Sequence, residues 1–364
     1  MKKYFFQADL VRALAILGAV GVHLVIPITA RPDFFGGTIW WLTFLLNCLF
    51  RISVPLFIVL SGYLTLGKQR TIADNNKRLL SRLFIPLVSY YIIYSIAYAL
   101  MAYLRSEEFD YWGIFHNLSK NTHSSLYFLV VLLFIQLLNP IWNILTKTEN
   151  LPTLRYTCRF FFVLGAIANI FYYLSLREGE VFSTYTYWVM WVGYYLYGYL
   201  VRIERKPLTT AETTHYLSLF FGGYIATVVM GYVMLWLYHH GVSELLYIGG
   251  QTYADGYLSI SVMIMTVSAF QLLMRSKQLI ELERFRFFKR IVVFLSQISF
   301  AMYLNHLLVM DTLSKFFGVT PDSPSMPGLW GYLAIEVVTA FALTIPMSYL
   351  FVKTPVLKRI VGQK

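Results

Sequence analysis

The chain alternates between long apolar runs and short polar connections. A helix crossing a bilayer needs about 20 predominantly apolar residues. Ten runs meet that need, at 11–30, 40–66, 83–104, 126–146, 158–176, 184–201, 216–238, 257–274, 291–310 and 329–352. The connections between them are too short to hold a soluble domain. The pattern therefore predicts an all-α polytopic integral membrane bundle of about ten transmembrane helices, with residues 1–364 forming a single membrane-embedded domain. Pro55 and Pro346 fall inside the long second and tenth runs, where they predict a tilt or a kink.

Composition agrees with this pattern. The chain is 58% hydrophobic and only 13% charged, against about 25% charge in soluble domains, so lipid must replace water around most of it. A net charge of +12 raises the question of nucleic acid, which the distribution of charge answers. With the N-terminus placed inside, 23 of the 30 Lys and Arg residues fall in inner segments and 5 in outer ones. The other two, Arg12 and Arg51, lie in or at the edge of spans. This alternation is the positive-inside pattern. It predicts cytoplasmic N and C termini and accounts for the basic balance without nucleic acid. Basic inner loops also suit anionic lipids or a phosphorylated cytosolic molecule. Cys48 and Cys158 fit neither a disulfide framework nor a metal spacing and are expected to pack. The first run is followed by Arg31-Pro32-Asp33 rather than a small-residue cleavage site, so it is expected to stay as a spanning helix.

Charged side chains in the middle of a span cost about 2.5–3.5 kcal/mol to insert and usually face the bundle interior with a task. Four places stand out. In the first helix Arg12 precedes His23 by 11 residues, which is three turns plus about 20°. The two share a face, about 16 Å apart along the axis. A snorkelling Arg12 and a His23 bonded to a neighbouring helix would have the same spacing. In the second run Arg51 precedes Pro55 and Ser61-Gly62-Tyr63, and the short outer loop makes the first two helices antiparallel neighbours. Arg51 and His23 can then share a cavity, or Arg51 can pair with an outer carboxylate such as Glu336. Pro55 frees a carbonyl, and Ser61-Gly62 admits a ligand or another chain. At the start of the third run Arg78 and Arg82, four apart, share a face and suit phosphate or simple anchoring. In the ninth run Ser299, Tyr303 and His306 line one side, either around an acceptor or as hydrogen-bonding glue between helices. Neither a phosphate-cradling or dinucleotide loop nor a nucleophile elbow is present.

Taken together, these segments resemble the acyltransferase 3 family of membrane O-acyltransferases. The likeness rests on Asp9-x-x-Arg12 with His23, on Val54-Pro55-Leu-Phe through Ser61-Gly62-Tyr63, on the basic patch from Arg78 to Pro86, and on Ser299-x-x-x-Tyr303-Leu-x-His306. It spans the chain in motif order and is strongest to the short, free-standing members. Ser125 and Tyr127 stand where the family has His and Trp in the fourth helix, with His123 nearby. The resemblance implies an acyltransferase that moves an acetyl or succinyl group from cytosolic acyl-CoA to a hydroxyl of an extracytoplasmic glycan or its lipid-linked precursor, in the bacterial cytoplasmic membrane. His23 and Arg51 would be the catalytic pair, His23 as general base or as covalent acyl carrier and Arg51 on the oxyanion. Arg12, Arg78, Arg82, Ser61, Tyr303 and His306 would bind substrate. The expected partners are acyl-CoA, the sugar acceptor and membrane lipids, with a homo-oligomer left open. No permanently bound cofactor or metal is expected. A transporter or flippase of a lipid-linked polysaccharide precursor is the rival reading; it would show inverted repeats and discontinuous helices.

Overall fold

A computed structural model describes residues 5–105, 126–175, 186–204, 206–242, 247–248, 251–322 and 328–363. His123 and Ser125 lie outside them. The helices are α1 (Phe6–Thr29), α2 (Thr38–Phe50), α3 (Ser53–Thr65), α4 (Ile72–Leu79), α5 (Ile85–Leu104), α6 (Tyr127–Leu137), α7 (Asn139–Leu145), α8 (Leu151–Ser175), α9 (Val192–Glu204), α10 (Thr210–His239), α11 (Ile260–Arg275), α12 (Lys277–Glu281), α13 (Arg286–Asp311), α14 (Gly328–Lys353) and α15 (Leu357–Ile360). A short antiparallel ladder pairs β1 (Tyr247–Ile248) with β2 (Gln251–Thr252).

The chain is an all-α polytopic bundle. Among the described residues seven helical runs are long and apolar enough to cross a membrane, or eight if the broken run α6–α7 counts as one. The ten runs expected from sequence exceed this because the sixth and eighth form shorter helices, α9 with 13 residues and α11 with 16. At 1.5 Å per residue these reach about 20 and 24 Å, short of a hydrocarbon core about 30 Å thick.

Two of the discontinuities follow from proline. Pro55 has no N–H to offer the carbonyl of Arg51, four residues back, and the second run breaks between Phe50 and Ser53. Pro140 similarly deprives the carbonyl of Gln136. Asn75 Nδ2 donates to that carbonyl at 3.1 Å, so the α6–α7 break carries its own compensation. Pro346, by contrast, sits within an uninterrupted α14.

Contacts divide the chain into two compact units: residues 1–69, 141–181 and 189–297 in the first, and 70–140, 182–188 and 298–364 in the second. In the first unit, α3 and α9 pack backbone to backbone. A Cβ on Gly62 would stand 1.8 Å from the Tyr195 carbonyl oxygen, and one on Gly198 would stand 2.0 Å from that of Val59. The close approach expected at Ser61-Gly62 is therefore made by α9. Thr65 and Tyr195 hydroxyls meet at 2.6 Å, and Arg202 donates to the Leu66 carbonyl at 2.7 Å. Trp40, Phe44, Cys48 and Leu235 form one core cluster, and Phe6, Leu10, Ala13 and Val292 another. In the second unit, the Tyr90 hydroxyl donates to Asn305 Oδ1 at 2.6 Å, and Asn305 Nδ2 donates to Ser348 at 3.3 Å.

Candidate functional site

In the first unit a buried ion pair sits where the second run breaks. Arg51 is 1% exposed and Asp255 3%, and Arg51 Nη2 stands 2.7 Å from Asp255 Oδ2. Charges this deeply desolvated persist only when paired and hydrogen-bonded. Asp255 Oδ1 accepts from the Thr252 backbone N–H and hydroxyl, each at 2.7 Å, and Oδ2 accepts from Asn47 Nδ2 at 3.1 Å. The guanidinium carbon lies 5.5 Å from the centre of the Tyr257 ring, a cation–π distance. The carboxylate facing Arg51 is thus Asp255, where the sequence offered Glu336. Asp255 sits in a polar connection, where the hydropathy of the sequence does not single it out.

That connection is not a surface loop. Thr252, Ala254, Asp255, Leu258 and Ser259 are all buried. Ser259 caps α11 by accepting from the Val262 N–H at 3.4 Å and donates its own hydroxyl to the Ala254 carbonyl. The Tyr194 hydroxyl donates to the Tyr257 carbonyl at 2.9 Å. The expected start of the eighth run at 257 is corrected to Ile260; residues 251–259 are folded, buried, non-helical backbone.

Several polar atoms here have no hydrogen-bond partner among the described residues: Arg51 Nε and Nη2, Asn47 Oδ1, Ser53 Oγ and Asn169 Nδ2, all buried. Buried polar atoms are nearly always paired, so orphans of this kind call for a ligand or water. The first helix passes close by. A Cβ on Gly18 would lie 3.0 Å from Ser53 Cβ, and one on Gly21 would lie 2.6 Å from the Phe50 ring. His23, half-buried, is two residues beyond Gly21, a rise of about 3 Å.

The remaining candidates fall as follows. Arg12 is half-buried and bonded to Asp9 at 2.8 Å, and Ser296 donates to that same Asp9 oxygen at 2.6 Å. Ser61 is half-buried on α3, and its carbonyl accepts from Thr65. In the second unit, Arg78 is half-buried and donates to Gln136 Oε1 at 3.1 Å, while Arg82 is exposed. A π-helical turn spans Leu80–Phe84, so the regular spacing that placed Arg82 over Arg78 does not carry through it. Tyr303 and His306 are 4% and 1% exposed, with ring centres 5.6 Å apart. His306 Nδ1 donates to the Tyr303 carbonyl at 2.7 Å, which places the ring proton on Nδ1.

A multi-pass helical bundle with a neutralised guanidinium sealed among orphaned polar atoms is the build of a membrane enzyme or carrier, and its broken helices suit either. The match to known families decides between them. Over residues 5–353 the chain matches the acyltransferase domain of the acyltransferase 3 family, and it belongs to that family. It is accordingly a multi-pass membrane acyltransferase, working with an acyl donor, an acceptor and the surrounding lipid. No curated protein and no solved structure matches the chain.

Proposed function

We propose that the protein transfers an acetyl or succinyl group from cytosolic acyl-CoA to a hydroxyl of an extracytoplasmic glycan or its lipid-linked precursor, in a bacterial cytoplasmic membrane. The observation that carries the reading is Arg51: a buried guanidinium, already neutralised by Asp255, whose Nε has no acceptor among the described residues. Such a donor suits an oxyanion. A neutral His23 takes the proton of the acceptor hydroxyl, general-base help typically worth about 10²–10⁴-fold. The hydroxyl oxygen attacks the thioester carbonyl, whose oxygen gathers charge toward Arg51. The C–S bond then breaks, and the departing thiolate takes that proton from His23 and leaves as free CoA. Arg12, Arg78 and Arg82 carry the charge that suits CoA phosphates. On the acceptor side, Tyr303 and His306 suit a sugar. Likeness to the short, free-standing members, such as the acetyltransferase of enterobacterial common antigen, favours acetyl.

The test compares alkali-released O-acyl groups on surface glycan in a strain lacking the protein and in that strain supplied with wild type or His23→Ala. Wild type restores the groups. His23→Ala inserts to the same level and restores none, and acylation at the wild-type level by that variant refutes the catalytic assignment.

A further inference from the structure

We infer that Asp255 is a positioning residue of the acyl-transfer site, carried to the level of Arg51 by a re-entrant, non-helical segment at residues 251–259; this inference rests on the assignment of Arg51 to the transition state. The level follows from Arg51, which lies midway along the 28-residue run Thr38–Thr65. Asp255 touches it at 2.7 Å and therefore shares that level. Irregular backbone persists at membrane depth only where protein buries it or it lines a cavity. Thr252, Ala254, Asp255, Leu258 and Ser259 are each no more than 3% exposed. The segment also completes a crossing that α11, about 24 Å long, does not make alone.

The bonding fixes the carboxylate and leaves part of the guanidinium without an acceptor. Three donors other than Arg51 hold the Asp255 carboxylate: the Thr252 N–H, the Thr252 hydroxyl and Asn47 Nδ2. The carboxylate in turn engages the guanidinium through Nη2. Arg51 Nε and Asn47 Oδ1 have no hydrogen-bond partner among the described residues, and Nη2 meets Asp255 as an ion pair without a hydrogen bond. Guanidinium N–H groups of Arg51 and the Asn47 side-chain carbonyl are thereby left for a substrate, while Thr252 and Asn47 fix the carboxylate that holds Arg51. These bonds fill the lone pairs that a buried carboxylate must satisfy, and in doing so they fix where it meets Arg51.

The distinguishing variant is Asp255→Glu, which keeps the charge and displaces the carboxylate by one methylene. Turnover is read as thiol release from acetyl-CoA by purified protein and as alkali-released acyl groups on surface glycan in complemented cells. A displacement on the ångström scale can cost about 10²-fold. Asp255→Glu is therefore expected to lose about 10- to 100-fold in kcat with KM for acetyl-CoA unchanged. It is expected to elute as wild type does and to stay folded at the assay temperature, with a modestly lowered melt. Thr252→Val, which removes one of the fixing hydrogen bonds, gives a smaller loss of the same kind. In an Arg51→Lys background, Asp255→Glu adds no further loss, because its effect runs through Arg51. Wild-type kcat in Asp255→Glu, or equal losses in both backgrounds, overturns the positioning role and leaves the proposed reaction standing. A wild-type protein that neither consumes acetyl-CoA nor acylates glycan overturns the reaction itself, and the positioning role with it.

Discussion

The Arg51–Asp255 pair lends itself to a quantitative test. Two unit charges about 4 Å apart attract by about 4 kcal/mol at an effective dielectric of about 20. Removing one member of a buried pair costs about 3–5 kcal/mol, because the other charge stays buried without compensation. Arg51→Met leaves Asp255 still held by Thr252 and Asn47 but without a counter-charge, and is expected to lose about 3–5 kcal/mol. Asp255→Leu strands the guanidinium and also orphans the Thr252 and Asn47 donors, each worth about 1 kcal/mol, so it should cost somewhat more. The double variant removes both charges at once. Apolar replacement of a whole buried pair is often close to neutral, which leaves chiefly the orphaned donors to count. The double-variant cycle should therefore show a coupling of about 3 kcal/mol or more. Reversible unfolding in mixed micelles, followed by tryptophan fluorescence, measures all four corners. Single losses under about 1 kcal/mol, or losses that simply add, would show that the pair is solvated and that the buried-site reasoning fails.

Two further outcomes follow from the packing and the charge pattern. Gly62→Ala drives a methyl to within 1.8 Å of the Tyr195 carbonyl oxygen, a backbone atom that cannot swing away; a loss of about 1–3 kcal/mol or more is expected. Gly222→Ala in α10 meets nothing within 4 Å and should be neutral or slightly stabilising in the same melt, so equal effects at the two positions would refute the α3–α9 contact. Because Cys48 and Cys158 are both buried, an impermeant maleimide should leave wild type unlabelled in intact cells. Asp33→Cys is expected to label from outside and Lys277→Cys only after permeabilisation, and the reverse pattern would overturn the orientation read from Lys and Arg.

The membrane-spanning character was legible because hydrocarbon imposes a simple rule, an uninterrupted apolar run of sufficient length. The rule says less about where a run stops being helical. Of the two long runs with an interior proline, the one holding Pro55 breaks at its carbonyl partner Arg51 while the one holding Pro346 does not, so tertiary surroundings decide. The π-helical turn at Leu80–Phe84 carries no sequence mark that period reasoning detects. Hydropathy starts the eighth run at 257 because Tyr257-Leu258 is apolar, whereas the Asp255-Gly256 turn pair and Ser259 as a helix cap mark the observed start at Ile260.

The site was half legible for a related reason. Arg12 and Asp9, three residues apart on one helix, are a local pair that sequence spacing reveals; their third member, Ser296, is not local and was missed. Arg51 announced itself as a charge in an apolar run, and the physics of desolvation demands that such a charge have a carboxylate. Glu336 is an outer carboxylate in an apolar run, whereas an acid in a polar connection is ordinarily assumed to face water. Asp255 reverses that assumption, since a connection bearing Thr252, Asp255 and Ser259 can satisfy its own backbone and side chains when folded inward. For a charge fixed in a membrane span, then, the search for its partner has to include every acid in a connection rich in short hydroxyl side chains. Those hydroxyls supply the hydrogen bonds that make an inward fold affordable in hydrocarbon.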